Sequence, residues 1–313
     1  MKTAMQDFAP TSQQNLDWNG VIAFITIAFL VAWTIASPMW FNTEGLRHPL
    51  APYLLPLIMF APSIAALMVV RWVSPEADFR TATGLHLGDR SKWPRYWLLC
   101  WFGMPALVLV ALALSSLFGV YAADMKNFSG LQQMLAQKEE GAAALETMSV
   151  QWLVAIQLGT ILIAPLLNVV FAFGEEWGWR GYLLQKLLPL GQWPALIVSG
   201  GIWGMWHLPV ILLGYNYPLY PNLGWLFMLV LCILLGILFG WTRLATGSIW
   251  PAVIAHGALN GSAGAVNLFA AADTTIDTAQ AGITGWVGWL VLSAVIAFLV
   301  YSKRLPVIRN TTF

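Results

Sequence analysis

Two adjacent carboxylates and an arginine, in Gly174-Glu175-Glu176-Trp177-Gly178-Trp179-Arg180, interrupt an otherwise apolar, tryptophan-rich stretch. Charge in lipid-facing sequence is costly, so an ionisable group there is by default a functional-site hypothesis. Glu175 and Glu176 are the only acids of this chain that fall inside a predicted membrane helix; every other Asp and Glu lies in a tail or loop. Of the histidines, His48 and His86 are in loops, which leaves His207 and His256, the latter followed four residues on by Asn260.

The spacing of these residues suits one shared site. Glu176 and Arg180 are four apart, so on a helix they stack on one face and pair, with the carboxylate N-terminal as preferred. Glu175 points about 100° away, free to work while its neighbour is held. Trp203 and His207, then His256 and Asn260, repeat the i,i+4 relation on two further helices. A carboxylate in apolar surroundings holds a proton more readily than one in water, which suits Glu175 to general-base work on a water molecule. Asn260 can donate to a developing oxyanion, and His256 can do so when its tautomer or charge allows.

Structural alternatives exist for each group. The Glu176–Arg180 pair also fits a buried pair that fixes helix position, and His207, His256 and Asn260 also fit hydrogen-bonded clasps between helices. Trp203 reads as packing, and Gly236-Ile237-Leu238-Phe239-Gly240 as a close-packed helix seam. Glu175, His207 and His256 further match a three-ligand zinc set with an open position, although no His-Glu-x-x-His is present.

The elements that must carry these residues follow from composition. The 313 residues are 59% hydrophobic and only 9% charged, which marks an all-α polytopic membrane protein. A membrane crossing needs about 20 apolar residues. Eight windows qualify: Val21–Phe41, Leu50–Val70, Trp97–Val120, Val150–Phe173, Ala195–Leu213, Leu223–Trp241, Ile249–Phe269 and Ile283–Tyr301. The first is too long, and the tail before it too polar, for a cleaved signal peptide.

With both termini inside (N-in/C-in), Lys2, Arg71, Arg80, Arg90, Lys92, Arg95, Arg180, Lys186, Arg243, Lys303, Arg304 and Arg309 fall on the cytoplasmic side. Only Arg47, Lys126 and Lys138 fall opposite. Basic residues concentrate on cytoplasmic faces, so this split supports both the helix count and the orientation. The net charge of +1 gives no nucleic-acid footprint. Cys100 and Cys232 lie inside predicted helices, which argues against a disulfide framework or a cysteine metal site.

The expected division is a polar cytoplasmic tail at 1–20, three membrane helices and an extracytoplasmic loop at 21–149, a core at 150–270, and a last helix with a basic tail at 271–313. The connection Trp72–Tyr96 is expected at the cytoplasmic surface, and Tyr121–Ser149 is expected to form a short surface helix opposite. For Glu175 to reach the depth of His207 and His256, which lie about 18 Å and 10 Å below the starts of their helices, the fourth helix is expected to begin near Leu158 and run past Arg180 toward Pro189, with Arg180 and Lys186 near the cytoplasmic face.

Three ordered motifs now stand together: Glu175-Glu176-x-x-x-Arg180-Gly181-Tyr182-Leu183-Leu184, Trp203-x-x-x-His207, and Thr246-Gly247-Ser248-Ile249-Trp250 leading to His256-x-x-x-Asn260. In these, over about residues 158–268, the chain resembles the CAAX protease and bacteriocin-processing family of intramembrane proteases, also called Abi. The second motif usually opens with phenylalanine; here it is Trp203.

The resemblance implies a conical core of helices four to seven and hydrolysis of a peptide bond at the membrane, without cofactor. Glu175 would activate water with help from His207, Glu176 would be held by Arg180, and His256 and Asn260 would steady the oxyanion. The expected partners are the lipid bilayer and a membrane-associated protein or peptide, prenylated or not. The expected setting is the inner or plasma membrane, with the cavity open to the cytoplasmic side. A zinc-dependent hydrolase, a transporter and a non-catalytic chaperone or immunity protein stay open as alternatives.

Overall fold

The computed structural model describes residues 16–41 and 44–307, so most of the expected 1–20 tail, together with Lys2 and Arg309, lies outside the described residues. Among them there is no β-strand, only one isolated bridge between Ala123 and Ala270. The protein is an all-α multi-pass membrane protein.

Among the described residues, eight helical passages make up the bundle. The first three are α1 (Trp18–Trp40), α2 with α3 (Ala51–Ile58, Ala61–Met68) and α5 (Trp93–Leu117). The fourth is α8 (Val150–Leu167), α9 (Val169–Glu176), a π-helical segment (Trp177–Leu183) and α10 (Leu184–Leu187) in one run. The rest are α11 with α12 (Gln192–Trp206, Leu208–Ile211), α13 (Gly224–Thr246), α14 with α15 (Trp250–Ser262, Ala265–Leu268) and α16 (Trp286–Tyr301). Five stretches of the described residues are long and apolar enough to span a membrane unaided: 18–40, 51–73, 90–117, 150–167 and 224–246. The shorter passages α11, α14 and α16 complete the bundle.

The fourth passage begins at Val150 rather than near Leu158, and it does run past Arg180. Pro165 sits inside α8 near its end, and α8 gives way to α9 at Asn168. Pro209 similarly marks the break between α11 and α12, which falls at His207. Broken backbone at membrane depth is tolerated where it lines a cavity, and that is where both breaks lie.

Close packing of α11 on α13 holds the centre. A Cβ on Gly236 would sit 2.9 Å from Gly200 Cα, so the expected small-residue seam is a real backbone approach. Outside the core, large apolar side chains such as Leu30, Leu98, Trp152 and Phe298 are exposed, as lipid-facing positions require.

The two ends of the bundle differ. At one, Lys186 Nζ bonds Asp17 at 3.0 Å and Glu76 at 2.6 Å. There the connection after α3 folds a short α4 (Phe79–Ala82) and caps α13. Asp89 N donates to Thr246 O and Lys92 Nζ to Ala245 O, both at 2.8 Å, satisfying carbonyls that the helix end leaves open. Gly247, at φ 72°, supplies the left-handed turn that stops α13.

At the other end, α6 (Ser129–Ala136) and α7 (Glu139–Thr147) replace the single surface helix expected for Tyr121–Ser149. They are tied down by Tyr121 Oη to Val266 O and by Gln133 Nε2 to Asp273.

Candidate active site

Glu175 and Glu176 close α9, immediately before the π-helical segment. Such segments are rare and recur at functional sites. Both carboxylates are buried, but their surroundings differ.

Glu176 is fully enclosed. Its Oε1 accepts from Arg180 Nη1 at 2.8 Å and lies 2.8 Å from His256 Nδ1. Arg180 itself is interior, with its guanidinium carbon 4.2 Å from the Trp203 ring centroid and 5.2 Å from that of Phe239. The expected pairing is present, but Arg180 does not sit at the membrane face. Arg243 is buried as well, so neither residue belongs in a tally of surface charge. The asymmetry between the two sides persists without them.

Glu175 Oε2 accepts a 2.6 Å hydrogen bond from Trp203 Nε1. From the sequence Trp203 reads chiefly as packing, with orientation of the imidazole as a second role; its indole N–H is a direct partner of the Glu175 carboxylate. The i,i+4 spacing from Trp203 to His207 signalled a shared helix face, and only the three-dimensional approach of α11 to α9 reveals the donor. Phe239 was also missed. It stacks on His256 at 5.7 Å between centroids and borders Arg180, a contact that leaves no mark in an apolar run.

The histidines are oriented by their Nδ1 atoms. His207 Nδ1 lies 2.9 Å from Trp203 O, and because a carbonyl only accepts, this nitrogen must carry the proton. Its Nε2 is then a lone-pair acceptor. His256 Nδ1 is likewise committed to the Glu176 carboxylate, so donation from its Nε2 needs the imidazolium form.

Glu175, His207, His256 and Asn260 line one cavity of about 370 Å³. All six residues singled out from the sequence therefore meet, four on the cavity wall and the Glu176–Arg180 pair behind it. Among the described residues no three His, Cys, Asp or Glu side chains are grouped as metal ligands would be.

Residues 150–262 match the family model described as Rce1-like, type II CAAX prenyl endopeptidase. That stretch is similar to an Rce1-like core. The match takes in both carboxylates, Arg180, Trp203, His207, His256 and Asn260, so over that stretch the chain is similar to the type II CAAX prenyl endopeptidases. The search of curated proteins finds no match.

The rest of the cavity wall runs in one direction. Leu55, Met59, Pro209, Tyr215, Asn216 and Thr284 belong to the end of the bundle that carries Arg47, Lys126 and Lys138. Under the orientation predicted from charge, that is the side opposite to the cytoplasmic opening expected from the sequence.

Proposed function

We propose that the protein is an intramembrane endopeptidase in which Glu175 activates a water molecule to attack the carbonyl of a membrane-attached protein or peptide. The observation that carries this reading is the division of labour between two adjacent carboxylates. Glu176 is consumed by Arg180 and His256, whereas Glu175 faces the cavity with one indole donor.

In this mechanism Glu175 takes a proton from water, and the resulting hydroxide forms the tetrahedral intermediate. His207, with its Nε2 lone pair, orients the same water. Asn260 and the imidazolium form of His256 donate to the oxyanion. The proton held by Glu175 then passes to the leaving amine. A donor aimed at a developing oxyanion is worth about 3–4 kcal/mol, so His256 and Asn260 are substantial contributors. No step passes through a metal, and no serine or cysteine nucleophile is needed.

The test is a comparison of protein N-termini in membranes of cells that make the wild type or Glu175→Ala at equal levels. The reading expects a set of N-termini present only with the wild type, and those termini name the substrate. Identical sets would reject it.

A further inference from the structure

We propose that the substrate enters the Glu175 cavity from the extracytoplasmic side, so that the scissile segment is an apolar, extracytoplasmic stretch of a membrane-attached protein. This deepens the peptidase reading above and rests on it.

Two sets of contacts define the ends of the bundle. At the first, Lys186 joins Asp17 and Glu76, the 79–92 connection caps Thr246, and Trp241 Nε1 donates to Arg304 O. Arg71, Arg80, Arg90, Lys92, Arg95, Lys186, Lys303 and Arg304 all belong to this end. At the second, Trp40 Nε1 donates to Pro209 O, Tyr220 Oη to Asp277 and Thr278 Oγ1 to Asn216 O. Its basic residues are Arg47, Lys126 and Lys138. The first end is therefore the cytoplasmic one.

Below the two carboxylates, toward that cytoplasmic end, the bundle is filled. Residues 178–184, 235–246 and 251–259 are buried without interruption, and Arg180 lies among them. The cavity leaves Glu175 the other way, past Leu231 and Met228 of α13 and Leu55 of α2, to Tyr215, Asn216 and Thr284. Tyr215 is exposed and belongs to the connection between α12 and α13. The apolar walls suit apolar side chains flanking the scissile bond, with polar groups placed at the mouth.

The experiment is thiol labelling of spheroplasts with a membrane-impermeant maleimide; the native Cys100 and Cys232 are both buried. Tyr215→Cys at the mouth, and Leu219→Cys in the same connection as a second probe should the first variant fold poorly, are compared with Arg80→Cys at the basic end. The expected result is that Tyr215→Cys or Leu219→Cys labels as fully in intact spheroplasts as after permeabilisation, and Arg80→Cys only after permeabilisation. The reverse pattern overturns the proposal. Because labelling reads orientation and not turnover, its failure is separable from failure of the peptidase reading, which would appear as continued cleavage by Glu175→Ala.

Discussion

Trp203 Nε1 donates to Glu175 Oε2 at 2.6 Å across two helices, and the same indole supports the Arg180 guanidinium on its face. One ring thus touches two members of the charged cluster, the Glu175 carboxylate by its edge and the Arg180 cation by its π surface. Trp203→Phe keeps the ring and removes the donor. A hydrogen bond to a charged group contributes about 1.5–3 kcal/mol, so turnover is expected to fall about 10- to 100-fold with little loss of thermal stability. Steady-state kinetics on the identified substrate, alongside thermal unfolding in detergent, check both halves.

The Glu176–Arg180 pair has a different signature. Arg180→Met leaves the Glu176 carboxylate buried without its guanidinium, and breaking such a pair costs about 3–5 kcal/mol. Arg180→Met combined with Glu176→Gln removes both charges while keeping an acceptor for His256. The double variant is expected to unfold at a higher temperature than Arg180→Met alone, although it stays inactive. Additive destabilisation would show that the two groups do not act as a pair.

Outside the membrane, Asp17 links α1 to the end of the fourth passage. Partial burial opposes its ionisation, but the Gly20 amide, the Ser74 hydroxyl and the Lys186 ammonium outweigh it and hold the carboxyl below its ordinary 3.8. A carboxylate lowered in the folded state stabilises the fold above its unfolded value and loses that contribution as pH falls through the folded one. Wild-type protein should therefore lose thermal stability on acidification from pH 5 to pH 3 more steeply than Asp17→Asn, as differential scanning fluorimetry would show.

Metal dependence is checked by dialysis against a chelator. The mechanism above predicts that turnover survives. Lasting loss restored by zinc would favour the zinc hydrolase.

Much of this arrangement was legible in the sequence because charge in apolar sequence is conspicuous. Glu175, Glu176, Arg180, His207 and His256 stand out for that reason, Asn260 by its place four residues after His256, and the i,i+4 spacing of Glu176 and Arg180 survives as a real pair. Trp203 was underread because an indole among 18 tryptophans carries no signal of its own; its hydrogen bond depends on how α11 meets α9. The apolar window starts at Val150, where α8 does begin; the later start near Leu158 follows only from matching depths as if the passage were a single helix of membrane length. The break at His207 had a readable mark in Pro209, which the apolar window concealed. The direction of the cavity could not be read at all, because it depends on which passages pack solidly and which stand apart.

The central claim is that the two neighbouring carboxylates have separate roles, and Glu175→Gln and Glu176→Gln, purified in lipid nanodiscs and assayed on the identified substrate, test it most directly. The account predicts that Glu175→Gln keeps wild-type thermal stability and loses at least about 100-fold in kcat, as removal of a general base does, whereas Glu176→Gln loses stability along with activity. Glu175→Gln turning over substrate at close to the wild-type rate, while Glu176→Gln is stable and inactive, would contradict it.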